Sequence, residues 1–251
     1  MNNIVSHTSF LLPKRKEKYM RKVISKEAIS GRIQRFTEKR NEMMKDVDGL
    51  HVKLQPGNSK TGNKVWTVSL MPVLDCKNCS ECKWDCYDIK NVLIHTRVVH
   101  DRCRNSVIHK LDVKRFWNEI DMQVKCNYVT ELRLNVGGDL NDDDFKYVKE
   151  LGINNPKTRF LFFTKNYKGI NAFLAEDSFP ENVHPIMSAW CGMEMDNPNN
   201  LPEAHVLYED GRTTAPEFGS HYCGGNCSEC AFNEKGCWTL KQGDSVIFRA
   251  H

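Results

Sequence analysis

The sequence has no apolar run approaching the length of a bilayer span, which excludes a transmembrane helix and leaves no membrane among the expected partners. Its first residues, MNNIVSHTSFLLPKRK, place no charged segment before the short apolar stretch and no small-residue cleavage site after it. A secretory leader is therefore not expected, and the chain is read as cytoplasmic. Strong net charge is also missing. A formal +4 over 251 residues gives no chain-wide argument for nucleic acid, and a 40% hydrophobic, 27% charged composition gives none for disorder. No internal repeat is visible beyond two cysteine-rich windows. The histidines His95, His100, His109, His184, His205 and His221 show no metal-type pairing.

What the chain does have is eleven cysteines. In a reducing compartment they are not expected to form a disulfide framework, and clustered thiols more often hold metal. Eight of the eleven fall into two groups. The first, Cys76, Cys79, Cys82 and Cys86, has gaps of two, two and three residues, the spacing of the bacterial ferredoxin run without its following proline. The second is Cys223, Cys227, Cys230 and Cys237, with Gly224 and Gly225 supplying left-handed turns around a centre. The expectation is two iron–sulfur clusters, of the [4Fe–4S] type, ligated by these eight residues. Zinc is the competing reading, since Cys-x-x-Cys also occurs in zinc sites and the second window has the look of a zinc knuckle. Cys103, Cys126 and Cys191 are isolated, and a lone cysteine is usually a small buried hydrophobe. His221, nearest the second group, is a candidate donor to a ligand.

Residues 1–60 read as a basic arm followed by a helix, capped by Ser25 and running to about Lys45. From Lys14 to Lys45 there are twelve Lys or Arg against four Glu, so residues 14–45 are a candidate nucleic-acid contact, with a solvated helix face as the plainer alternative. Residues 61–215 read as an α/β core. Strands are expected at Val65–Leu70, Tyr128–Val136, Arg159–Thr164, Pro185–Trp190 and His205–Tyr208, with helices between them. Asp112 should cap one helix. Asn141 should cap another with Asp142, Asp143 and Asp144 in its first turn and Gly152 as its stop. This alternation implies an α/β fold, either a partial TIM-like barrel or an open, mostly parallel sheet. The first cysteine window then follows a strand, where such folds commonly place their chemistry. Residues 216–251 read as a separate cysteine-rich lobe.

Cys86-Tyr87, Gly138-Asp139 after a strand, an aromatic strand running into Thr164-Lys165, and the closing Cys237-Trp238 occur in an order that resembles the gene product 88 domain family of phages and mobile elements. The resemblance covers roughly residues 60 to 240 and implies a phage or mobile-element origin. A looser similarity, to radical SAM enzymes, lies in a strand leading into cysteines and a later Gly137-Gly138-Asp139. It implies S-adenosylmethionine as a candidate cofactor, with Gly137, Gly138 and Asp139 binding it and Asp139 acting in catalysis. The chain departs from that pattern: Cys-x-x-x-Cys-x-x-Cys spacing occurs at Cys223, Cys227 and Cys230, downstream of the strands. Two glycines and an aspartate after a strand also read as a turn, with Asp139 bonding nearby backbone. The functional expectation is a redox or radical-type enzyme acting on a small-molecule substrate. The alternatives are a non-catalytic iron–sulfur protein with a redox partner and a structural zinc module.

Overall fold

The computed structural model describes residues 24–57, 61–62, 64–92, 95–233 and 236–250, so nearly all of the expected basic arm lies outside the described residues. The chain opens on helix α1 (Lys26–Met43), where the Ser25 hydroxyl accepts the Ala28 N–H at 3.2 Å. Its apolar side buries Ile29 and Phe36, and Phe36 packs with Met71, Val99 and Cys103. Two of its cations are engaged in docking it: Arg32 donates to the Ile89 carbonyl at 3.3 Å and Arg40 pairs with Asp75 at 3.2 Å.

Strand β1 (Val65–Thr67) is followed by the first cysteine window and by α2 (Tyr87–Val92), α3 (Thr96–Leu111) and α4 (Val113–Cys126). Then come β2 (Glu131–Leu134), α5 (Asp144–Asn154), β3 (Arg159–Thr164), α6 (Tyr167–Glu176), β4 (Val183–Ser188) and β5 (Glu203–Leu207). The tail supplies β6 (Ser220–Tyr222), α7 (Cys227–Phe232) and β7 (Ser245–Arg249). Together the strands form one open seven-stranded sheet in the order β1-β2-β3-β4-β5-β7-β6. Every pairing in it is parallel. The fold is thus the open parallel α/β alternative of the sequence reading.

Chain order from β1 to β5 means successive crossovers step in one direction, which stacks their helices on one face. Strand side chains alternate between faces with a period of two. On the helical face Leu132, Leu134, Phe160, Phe162, Val183 and Met187 meet Phe116, Ile120, Phe145, Val148 and Ile170 in the main core. The opposite face carries Val65, Leu161, Ile186, Ala204 and Val246, and these pack with Ala231 and Trp238 of the cysteine-rich tail. The tail of the expected cysteine-rich lobe, residues 216–251, also contributes strands to the sheet. It completes the sheet with β6 and β7, because its aromatic and cysteine side chains are what cover the second face.

Local differences have local causes. Helix α5 begins at Asp144, not after Asn141, and its N-cap Asp143 makes no side-chain cap bond. Asp142 is drawn away by Lys77 and by Asn166, whose Nδ2 donates to it at 2.8 Å, so a single acid remains in the first turn. Gly152 does not stop the helix, which continues to Asn154; a Cβ there would lie 2.6 Å from Val183 Cγ2 and 2.7 Å from Pro180 Cγ. Strand β1 ends at Thr67, yet Leu70 still donates to the Gly137 carbonyl at 2.8 Å, which keeps the first cysteine loop against the end of β2.

Asp112 does cap α4, accepting the Arg115 N–H at 2.9 Å. Replacing Asp112 by alanine is expected to lower stability by about 1 kcal/mol, seen as a lower denaturant midpoint at unchanged slope.

Candidate functional site

The first cysteine window lies beyond the C-terminal ends of β1, β2 and β3, held by contacts with the loop after each. Asp75 Oδ2 accepts the Met71 N–H at 2.8 Å, and its carbonyl accepts the Asp139 N–H at 2.8 Å. Asn78 donates to the Lys165 carbonyl and to Asn166 Oδ1, both at 3.2 Å. Lys77 pairs with Asp142. Within this frame the Sγ atoms of Cys79 and Cys82 are 3.9 Å apart. Hydrogen bonding to Cys76, with burial and the neighbouring Cys86, pushes the Cys79 thiol up to about 12. Burial and the nearby Asp88 push Cys86 up to about 11, against the opposing charge of Lys165. All four thiols are free and half-buried. Thiols crowded in this way resist becoming thiolates unless a cationic centre compensates them.

Gly137-Gly138-Asp139 braces this loop. A Cβ on Gly137 would overlap the buried Asp88–Arg102 ion pair, which lies just beyond Cys86. Gly138 has φ +81°, and a Cβ there would come within 2.7 Å of Leu70 Cβ. Asp139 is buried, and its two oxygens accept the Leu140 and Lys165 N–H groups, each at 2.8 Å. Burial raises its carboxyl above the usual range while Lys165 and these bonds oppose the shift. Through these backbone bonds the motif ties the end of β2 to the end of β3.

The second window sits on the helix-free face of the sheet. Cys223 follows β6, Cys227 and Cys230 lie in α7, and Cys237 lies in a short 3-10 turn over Gly236–Trp238. Asn226 Oδ1 caps α7 by accepting the Glu229 N–H at 3.1 Å. Of the two glycines expected to turn left-handed, Gly225 does so, with φ +78°. Its N–H donates to Cys223 Sγ at 3.4 Å. Burial, with the neighbouring Cys223, Cys227 and Cys230, pushes Cys237 up to about 12, so the four thiols influence one another. These four are also half-buried, and none is in a disulfide.

As the side chains stand, no group of three or more Cys, His, Asp or Glu among the described residues is close enough to hold a single metal ion. The donor sets still suit iron–sulfur ligation chemically: each window offers four thiols, and N–H groups are directed at sulfur in the second. The isolated cysteines divide by environment. Cys103 is core, its Sγ 3.6 Å from Met71 Sδ, whereas Cys126 is exposed. Cys191 follows β4 beside Trp190, whose ring meets Tyr208 edge-on. His221 is exposed on β6, and Arg133 donates to a second-window sulfur, 3.8 Å from Cys227. The alternation Glu131-Leu132-Arg133-Leu134 was the available signal, since it puts Arg133 opposite the helical face.

Beside the first window lies a cavity of about 430 Å³, lined by residues that include Arg40, Asp75, Cys76, Lys77, His109 and Asp144. His109 Nε2 lies 2.8 Å from Asp144 Oδ1, which also accepts Trp117 Nε1–H at 2.8 Å. Asp144 Oδ2 accepts the Asn141 N–H at 2.7 Å. Burial disfavours the His109 cation, but Asp144 and, further off, Asp75 together raise it above its ordinary value. This pair had no signal in the sequence, because its members are thirty-five positions apart.

A model of the protein family described as Gene product 88 matches residues 39–238. No curated protein and no solved structure matches the chain.

Proposed function

The chain belongs to the Gene product 88 family, and from that premise we propose that it is an iron–sulfur protein with two [4Fe–4S] clusters, the first facing a substrate cavity and the second embedded against the sheet. The observation that carries this reading is the grouping of eight half-buried cysteines into two sets of four, one in the loop after β1 and one over the helix-free face of the sheet. Cys76, Cys79, Cys82 and Cys86 would hold the first cluster. Cys223, Cys227, Cys230 and Cys237 would hold the second. Such clusters supply one-electron chemistry when bound.

The cavity favours a redox or radical-type enzyme over simple electron transfer, because Cys76 and the His109–Asp144 pair line one space. A small polar molecule there would lie beside a first-cluster ligand and a histidine able to give or take a proton. Lys165 contributes a cation near Cys82 and Cys86, fixed by contact with the Trp190 ring at 4.9 Å. A structural zinc module is the second reading. The observation favouring it is the Cys79–Cys82 separation of 3.9 Å, close to the ~3.8 Å between thiolates that share a tetrahedral zinc.

Anaerobic purification followed by metal and acid-labile sulfide analysis separates the two. The expected content is about eight irons and eight sulfides per chain, falling by about half in Cys76→Ser and in Cys223→Ser. Zinc at stoichiometry without sulfide would overturn the proposal. Adding S-adenosylmethionine to the reduced protein then separates the uses of the first cluster. A changed paramagnetic resonance spectrum assigns it to SAM chemistry, and an unchanged one removes SAM as cofactor.

A further inference from the structure

We infer that Arg133 is the counter-charge of the second window and sets the reduction potential of the cluster held there; this rests on the iron–sulfur reading above. Arg133 lies in β2 on the helix-free face, in register with Thr67 of β1 and Leu161 of β3. Its guanidinium reaches Cys227 Sγ at 3.8 Å and stacks on the Phe163 ring at 4.8 Å. Phe163 in turn meets Phe248 edge-on, so the stack is anchored across the sheet to β7.

Charge balance supplies the rest of the argument. A half-buried cation is favoured by an anionic partner. Arg159, on the same face, has one: it pairs with Glu131 at 3.0 Å and donates to the Ala231 carbonyl at 2.8 Å. Arg133 makes no salt bridge with a carboxylate among the described residues, and its Nε is buried without a hydrogen-bond partner among them. The buried carboxylate of Asp88 is already paired with Arg102. Four thiolates around a cluster carry net negative charge, and they stand where the unpaired guanidinium points. Reduction adds one electron to that centre and makes it more negative, so a fixed cation with a hydrogen bond to sulfur favours the reduced form. Arg133 is thus a positioning and tuning residue that does not itself ligate metal.

The test is redox titration of the anaerobic full-length protein, with the two clusters followed by paramagnetic resonance. Cys237→Ser identifies which signal belongs to the second window. In Arg133→Gln the second cluster should reduce less readily. Its reduced-to-oxidised ratio at fixed potential should fall about tenfold, a shift of 59 mV to more negative values for a one-electron couple, with the first cluster unmoved. Arg159→Gln should leave the second potential near wild type, because Arg159 already has its counter-ion. An unchanged second potential in Arg133→Gln overturns the inference while leaving the clusters themselves in place. Iron content that Cys237→Ser does not alter overturns the underlying reading instead. If Arg133→Gln cannot retain the second cluster, Arg133→Lys decides: retention supports a charge role, and loss overturns it in favour of packing alone.

Discussion

Replacing His109 by leucine should destabilise the protein by about 3–5 kcal/mol near neutral pH, the cost of stranding a buried charge. The charge is that of Asp144, a fully buried carboxylate whose Oδ1 is shared by His109 and Trp117. Leucine fills the space but removes the only cation bonded to that group among the described residues. Trp117 Nε1–H and the Asn141 N–H remain as neutral donors, so His109→Gln, which restores a donor without charge, should cost less than leucine. The pH dependence carries its own sign. His109 is raised above its ordinary value by Asp144 and Asp75 in spite of burial. Its favourable contribution is therefore complete below the unfolded value of about 6.5 and is lost as pH rises through the higher folded value. The stability gap between wild type and His109→Leu should narrow from pH 6 towards pH 9 in denaturant titrations. A gap that widens with pH would show that the pair is not ionised as described.

Gly137→Ala is expected to be at least as damaging, and in a more local way. The φ of Gly137 is not in the left-handed region, so backbone strain is not the issue. Space is. A methyl group there would overlap both Asp88 Oδ2 and Arg102 Nη1, whose ion pair is about nine-tenths out of solvent. Separating the pair leaves a charge buried without its partner, at a cost of about 3–5 kcal/mol. Asp88 lies two residues beyond Cys86 at the start of α2, so the disturbance reaches the first cysteine window and not the second. The denaturant midpoint should fall, and on the iron–sulfur proposal metal should be lost preferentially from the first window. A Gly137→Ala protein with wild-type stability and both sites filled would mean that the pair opens without consequence. Arg102→Met provides the complement, since it abolishes the pair while leaving Gly137 untouched, and the two effects should not add.

These sites differ in how far they could be read along the chain. The two cysteine windows were legible as groups because their members lie only a few positions apart. The helix starts at Ser25 and Asp112 were legible because a cap is a contact between residues three apart. The start of α5 was misread for the converse reason. Asp142 satisfies the local rule for a first-turn acid, but Lys77 and Asn166, from distant loops, claim its carboxylate. Gly152 looked like a stop and is a packing glycine, because Val183 and Pro180 approach it from outside the helix. Gly137-Gly138-Asp139 stood out in the sequence, whereas its work in bracing β2 against β3 and making room for Asp88–Arg102 depends on partners far along the chain.

The amino-acid order alone determined the strand–helix alternation, the parallel α/β class, the family likeness and the two groups of thiols, since each depends on local periodicity or spacing. Only the folded chain decided that the cysteine-rich tail joins the sheet, that its window covers the helix-free face, that Arg133 stands against it without a carboxylate partner, and that His109 and Asp144 meet beside Cys76. The physical reason is that burial and charge pairing act between residues brought close by chain closure, and separation along the sequence carries no record of that proximity.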